Sequence, residues 1–488
     1  MQKEEDYIMS QTPSIKKNVA FKLAYQVLAI LVPLVTAPYV SRVLGADGIG
    51  IYSYTHSYMT YFTMFAALGT VSYGTRQIAQ VRDDSQKLSK TFWEIEIMTL
   101  MTTAIALVVW VCIVFISEDY GIYFACLIPT LLATGADISW LYTGTERIHY
   151  SVIWNAVSKI LGLLLVFTLI KSKDDLVLYV FMMSFILFVG NISMWIFLPK
   201  VVTRINIKDL NVLPHFKQTL KYFITSVAIS LYTVLDKTMI GVITHDEFQN
   251  GYYEQAEKII NLIRPFAFTA INDATSPRMS YLFANEKYDE IKEKMRYSLN
   301  IELFISIGCC FGIIAVADTF VPVFMGNGYE PVINILRVMS FILIPICLST
   351  CTGTHYYVPS GNVLKGTKLT LIGAIVNLII NIPLIFRFKA MGAVLASLVA
   401  EIIIGVLYVY KCRDYVNLRV IMQISWKKII AGIIMASAVY FLGSISYVPS
   451  LYRLVLQITS GVGIYIIVLV VLRDRTILDA VSVFRRKL

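Results

Sequence analysis

Residues 39–84 read YVSRVLGADGIGIYSYTHSYMTYFTMFAALGTVSYGTRQIAQVRDD. Arg42 and Asp47 stand before residues 49–72, and Arg76, Arg82, Asp83 and Asp84 follow them. Between those charges lie 24 residues without a single acidic or basic side chain other than His56. At 1.5 Å of rise per residue a helix of about 20 residues crosses the hydrocarbon core of a bilayer, so this run is long enough to span. Its Tyr, Thr and Ser content is unusually polar for such a position, which marks it as a span with work to do.

The same pattern repeats outward in both directions. The chain has 488 residues, 57% hydrophobic and only 15% charged, with a mean hydropathy of +0.68. Apolar runs of membrane-crossing length follow one another from end to end, which is the composition of an all-α polytopic membrane protein. We place spans at 19–41, 49–72, 92–116, 121–144, 150–170, 176–198, 220–243, 254–277, 298–322, 331–355, 367–387, 390–411, 427–446 and 451–472. The second, rich in hydroxyls, and the eighth, interrupted by charges, are the weakest by hydropathy.

Charge bookkeeping supports all fourteen. With the N-terminus inside, the inner segments hold 31 Lys and Arg and the outer loops six: Arg42, Lys171, Lys173, Arg387, Lys389 and Arg453. Charges at span ends, such as Lys22, Lys221 and Lys428, are counted with the adjoining segments, and the remaining five of the 42 lie deeper within spans. This bias follows the positive-inside rule and predicts both termini in the cytoplasm. Dropping one span would invert every later loop. The net charge of +10 is therefore mostly a topology signal, and the scattered basic loops argue against nucleic-acid binding.

Loops are short, the longest being near 199–219 and 284–297, which leaves no room for the aqueous catalytic domain of a membrane glycosyltransferase or polymerase. No GxxxxGK[ST] occurs, so ATP does not drive this chain directly, and no cofactor is expected. The seven cysteines, Cys112, Cys126, Cys309, Cys310, Cys347, Cys351 and Cys412, lack paired zinc-site spacing and read as core thiols, with no metal expected.

The five cations inside spans are Lys159, Lys237, Lys258, Arg264 and Arg337. A charge at the bilayer centre costs about 2.5–3.5 kcal/mol on insertion scales, so each must face protein, water or an anion. With Arg42 at the outer end of the first span, they form a candidate set for an anionic cargo. Arg264 is the strongest phosphate contact, because its guanidinium can make bidentate hydrogen bonds. Lys237 and Lys258 lie near Asp236, Glu254 and Glu257 and serve equally well as ion-pair partners. Asp137 or Glu401 could reach Lys159 after folding, whereas Arg337 has no obvious partner nearby. Tyr54, Tyr58 and Tyr61 share one helix face and are candidates for stacking on the rings of a cargo. Asp137, Asp236, Asp273 and Glu401 could couple transport to a proton or sodium ion. Pro265 removes the hydrogen bond to the Asn261 carbonyl, kinks the eighth span and is a candidate hinge.

A faint repeat relates the halves. Arg42-Val43-Leu44-Gly45, then Gly50-Ile51-Tyr52, is echoed about two hundred residues later by Lys237-Thr238-Met239-Ile240-Gly241, then Gly251-Tyr252-Tyr253. Arg76 and Arg278 keep nearly the same offset. Six spans separate the copies, so the halves share orientation in the membrane.

At this point the residues carry a resemblance. The elements RVLG, Gly-x-Tyr-Ser, LG and YGTRQIA of residues 39–84 resemble the first helical hairpin of the Wzx-type polysaccharide flippases. These belong to the multidrug/oligosaccharidyl-lipid/polysaccharide exporter superfamily. Residues 251–283, GYYEQAEKIINLIRPFAFTAINDATSPRMSYLF, resemble the eighth helix of the same proteins. The resemblance implies two six-helix bundles, at 1–199 and 217–412, around a central cavity that opens alternately to each side. Two further helices follow at 425–473, then a cytoplasmic tail at 474–488. It implies a cargo of undecaprenyl-pyrophosphate-linked oligosaccharide moved across the cytoplasmic membrane, with membrane lipids, a polysaccharide polymerase and export machinery as partners. A multidrug or organic-ion exporter of the same superfamily is the alternative, disfavoured by the cations, and a membrane glycosyltransferase or polymerase is a more distant one.

Overall fold

The computed structural model describes residues 15–444 and 449–478. The expected N-terminal segment up to residue 14 and most of the tail beyond 478 lie outside those residues. Among the described residues all regular structure is helical. The helices fall on the expected spans, with four departures that locate the working parts.

The first two spans form one run, α1 (Ile15–Ala67), broken only at Gly45, whose φ of 74° is in the left-handed region that glycine tolerates. Helix α2 (Thr70–Val81) then leaves Gly69, itself at φ 77°. The two glycines of RVLG and LG thus mark the corners of the opening hairpin. The third span is α3 (Ser85–Ile116), started by Asp84, whose side chain accepts from the Lys87 N–H at 3.0 Å.

The fourth span is the second departure. It is broken into α4 (Gly121–Cys126), α5 (Ile128–Gly135) and α6 (Ser139–Gly144). Carbonyls released by such breaks have no water to turn to inside a bilayer and must be satisfied by neighbours. Asn191 Nδ2 donates to the Ala133 carbonyl at 2.8 Å and Trp195 Nε1 to that of Ala136 at 2.9 Å. Asn191 belongs to the sixth span, α8 (Leu176–Ser193), which follows α7 (His149–Leu169). Trp140 of the broken span stacks on Phe92 at 5.4 Å in a fully buried cluster. Gly74, of the YGTRQIA run, presses against that ring so closely that a Cβ there would come within 2.5 Å of it.

The seventh span, α9 (Leu213–Thr244), leads into the third departure. The eighth span begins as α10 (Glu247–Arg264), passes through a π turn at Pro265–Thr269 and resumes as α11 (Ala270–Ala284). The proline cannot donate to the preceding turn, and the wider π geometry absorbs the lost bond. After α12 (Tyr288–Met325), the tenth span repeats the broken character of the fourth, six spans away. It consists of α13 (Glu330–Ser340), α14 (Leu343–Thr352) and a second π turn at Gly353–Tyr357. This recurrence fits the sequence repeat.

The fourth departure joins spans eleven and twelve as α15 (Val363–Lys411), reversed at Lys389 with φ 52°. Helices α16 (Leu418–Gly443) and α17 (Ser450–Val471) close the chain.

Among the described residues ten stretches are long and apolar enough to cross a membrane, and two of them, Ala24–Val81 and Val363–Lys411, each hold two expected spans. The seventh and eighth spans, which carry most of the charges discussed above, fall outside this set. Large apolar side chains such as Phe115, Leu364 and Phe386 are exposed in bands along the helices. A protein surrounded by water would not sustain so much exposed apolar surface, whereas lipid accepts it.

The chain divides into two compact units: Met1–Gly48 with Tyr52–Ser230, and Ile49–Ile51 with Leu231–Leu488. In the first, the loop before α9 is tied down by Glu94, which accepts from the Asn211 N–H at 2.7 Å and meets His215 Nε2 at 2.9 Å.

Candidate functional site

In the second unit, α9, α10 and α15 bring the charged residues together. Lys237 Nζ lies 2.6 Å from Glu254 and 2.7 Å from Glu257, and Lys258 lies 3.6 Å from the other oxygen of Glu254. Between pairing and cargo contact, the structure places both lysines in ion pairs. Arg264 faces Glu401 at 3.8 Å and reaches Asn261 Oδ1 at 3.3 Å, while its Nε has no acceptor among the described residues. Its side chain is 35% exposed. The guanidinium carries five N–H donors, so most of its hydrogen-bonding capacity is uncommitted.

Beside it, Asp236 is fully enclosed and accepts from three neutral donors: Tyr253 Oη at 2.6 Å, Asn381 Nδ2 at 2.7 Å, and Ser397 Oγ. Asn377 donates onward to Ser397 at 3.1 Å and is linked to Asn381 at 3.0 Å. A recess of about 40 Å³ is lined by Asp236, Glu257, Asn261, Arg264, Ser397 and Glu401, among others. A water needs about 10–15 Å³ of such space, so the recess admits a few waters or an ion and excludes a sugar.

The second unit therefore differs from the expected set of cations facing an anionic cargo. Around the recess and its neighbouring pairs, Lys237, Lys258 and Arg264 stand against Asp236, Glu254, Glu257 and Glu401, an excess of one carboxylate. Arg337, expected without a partner, is ion-paired with Asp318 and also donates from Nε to the Ile314 carbonyl at 3.3 Å. Its donors are spent on holding α13 to α12. Asp273 is exposed on α11, apart from this network.

In the first unit Lys159 is half-buried on α7, with its ammonium 5.4 Å from the centre of the Tyr25 ring. Neither acid expected to reach it does so: Asp137 accepts from the Ser139 N–H at 2.9 Å, and Glu401 faces Arg264. No carboxylate pairs with Lys159 among the described residues, so it rests on a ring face alone. Arg42 is exposed just before the Gly45 break. Tyr54 and Tyr58 are half-buried and share a hydroxyl contact of 3.2 Å. Tyr54 also packs edge-on against Tyr120, and Tyr58 against Phe124, while Tyr61 is half-buried further along the same face. The first two rings are thus partly committed to protein.

Sequence reasoning missed three buried groups. Lys428, read as part of an inner segment, is 0% exposed and meets Asp474 at 3.1 Å and Asn300 at 2.7 Å. Glu96 and Glu302 are fully buried, and their oxygens have no N–H or O–H donor among the described residues. They are 206 positions apart, close to the repeat offset, which is the signal that would have flagged them. Of the cysteines expected in the core, Cys112 is instead exposed.

Broken spans, paired charges within the helices and an apolar outer surface define a multi-pass membrane protein with the architecture of a transporter. The chain belongs to the family described as polysaccharide biosynthesis protein, which matches residues 15–283. Relatives named for O-antigen transport are 23% identical over 408 residues in Escherichia coli K12 and over 403 in Shigella dysenteriae. These alignments cover 82% and 81% of this chain and 97% and 99% of the relatives. A Haloferax volcanii protein named as a low-salt glycan biosynthesis flippase is 22% identical over 52% of this chain and 54% of its own length. Among solved structures, the lipid II flippase MurJ in an inward closed conformation superposes with a TM-score of 0.73 at 15% identity. That match covers 94% of this chain and 99% of MurJ, and the two share a fold.

Proposed function

We propose that this protein is a flippase for lipid-linked oligosaccharide. In this reading it carries undecaprenyl-pyrophosphate-linked repeat units from the inner to the outer leaflet of a bacterial cytoplasmic membrane by alternating access, with both termini inside. Membership of the polysaccharide biosynthesis family and the relatives named for O-antigen transport support the cargo class. The observation that carries the reading at the level of residues is the guanidinium of Arg264, reachable and largely uncommitted in a span. Diphosphate is the anion its geometry suits best. Lys159, which has no carboxylate partner among the described residues, is a second cation available to the cargo. Arg337 is assigned to structure. Asp236, set in a ring of neutral donors beside a recess of ion size, is the residue we assign to proton or sodium coupling, ahead of Asp137, Asp273 and Glu401.

The excess of one carboxylate around the recess favours one competitor, export of an organic cation. Deleting the gene and analysing lipid-linked intermediates separates the two. A flippase leaves undecaprenyl-linked oligosaccharide on the cytoplasmic face, whereas normal surface polysaccharide together with raised drug accumulation refutes our reading. A polymerase or the export machinery is the partner that would receive the product.

A further inference from the structure

The second unit holds another cluster, away from the recess and unused by the transport reading. Glu302 on α12, Cys351 on α14 and His355 in the π turn that follows are all buried, and one ligand atom from each lies within 4.8 Å of the others. Cys351 Sγ is 3.1 Å from His355 Nδ1. Cys347 stands one turn back from Cys351 and is also fully buried.

Proton bookkeeping orients the imidazole. Thr275 Oγ1 has one hydrogen, and it donates to the Ile271 carbonyl at 2.7 Å. With that hydrogen so placed, its 2.5 Å contact with His355 Nε2 is filled by a proton on the ring nitrogen. In that tautomer the lone pair of Nδ1, 3.1 Å from Cys351 Sγ, is available to the cluster. A hydrogen bond from one ring nitrogen that fixes the tautomer and frees the other to ligate is the usual outer support of a metal-bound histidine.

Glu302 supplies the independent observation. Its side chain is 0% exposed, and neither oxygen meets an N–H or O–H donor among the described residues. The groups that face it are the thiols of Cys347 and Cys351. A carboxylate so enclosed, with no cation or strong donor, has an unmet need for positive charge.

We propose that Glu302, Cys351 and His355 bind one zinc ion. Imidazole nitrogen, thiolate sulfur and carboxylate oxygen together are a zinc donor set. Zinc bonds of 2.0–2.3 Å put neighbouring ligand atoms about 3.5 Å apart, so side-chain shifts on the order of 1 Å complete the shell. Binding releases the Cys351 thiol proton to solvent, together with the proton that the enclosed Glu302 carboxyl takes up when no cation is present. The thiolate and the Glu302 carboxylate then balance the two charges of the ion, leaving a neutral centre suited to a membrane protein. The site joins α12 to the π turn at Gly353–Tyr357, and through Thr275 reaches α11, so its role is to clamp three spans.

The test uses the full, tag-free chain in detergent. After chelator treatment and dialysis, the wild type is expected to rebind about one zinc per chain and to melt at a higher temperature with zinc than without. Cobalt in place of zinc should give a thiolate-to-metal charge-transfer absorption. Cys351→Ser should abolish that band and weaken zinc binding at least tenfold, while Cys309→Ser, outside the cluster, should leave both unchanged. Glu302→Gln, the near-isosteric change, should also weaken zinc at least tenfold. Stripped wild type that binds no zinc and shows neither band nor thermal shift overturns the proposal, as does a Cys351→Ser chain that binds zinc as tightly as the wild type. These readouts do not depend on transport, so they stand apart from the flippase reading.

Discussion

Arg264 Nη2 and Glu401 Oε1 face each other at 3.8 Å, close enough for their charges to balance and too far for a hydrogen bond. The arrangement lets a cation sit within a membrane-spanning helix without exhausting its donors. In the proposed function an incoming diphosphate would take those donors, and Glu401 would need only to loosen.

The two partners should therefore respond differently to mutation. Arg264→Ala loses charge-assisted hydrogen bonds worth about 1.5–3 kcal/mol, and flipping should fall by roughly ten- to a hundredfold. Arg264→Lys should recover only part of it, because an ammonium lacks the bidentate fork. Glu401→Gln should keep flipping within about threefold of wild type. Quantifying cytoplasmic lipid-linked oligosaccharide in complemented deletion cells checks all three, and a Glu401→Gln defect as deep as that of Arg264→Ala would contradict the assignment.

Pro265→Ala restores a backbone donor and should let the α-helix run through residues 265–269. Transport should slow severalfold while membrane insertion and expression stay normal, as measured by flipping in reconstituted vesicles against protein level. Unchanged transport would sink the hinge assignment.

Lys428 is a structural cation. Removing one member of a buried ion pair typically costs about 3–5 kcal/mol, so Lys428→Met should sharply lower the melting temperature in detergent. The double change Lys428→Met with Asp474→Leu should recover much of the loss. A double variant no more stable than the single one would show that the pair is not the source of the effect.

Gly74→Ala places a Cβ 2.5 Å from the Trp140 ring in a fully buried cluster and should destabilise the first unit by about 1–3 kcal/mol. Gly463→Ala, where nothing lies within 4 Å, is the matched control and should be nearly neutral. Thermal unfolding of both in the same detergent decides the matter.

What the sequence disclosed, and what it concealed, follows from the range of the interactions involved. The corner at Gly45 falls between the first two expected spans, whereas the one at Gly69 lies inside the second, where its left-handed backbone was not foreseen. The kink at Pro265 was legible because its cause lies in one residue. The partners of the cations were not: Asp318 is 19 positions from Arg337, and Glu401 is 137 from Arg264. Lys428 looked like a loop charge because hydropathy registers where apolar runs begin and is blind to an acid 46 residues away that folds back over it. The breaks in the fourth and tenth spans were also hidden, because the residues around Leu127 and Phe341 are as apolar as any span and their stabilising donors sit on other helices.

The π turn at Pro265–Thr269 also sets a register. It inserts one residue more than α geometry would use, turning everything after it by about 100° relative to an unbroken helix. Upstream, α10 directs Arg264 toward Glu401; downstream, α11 directs Thr275 toward His355. One span thus serves two stations whose faces an uninterrupted helix could not present together, and a single-residue deletion within the turn would uncouple them while leaving its composition almost unaltered.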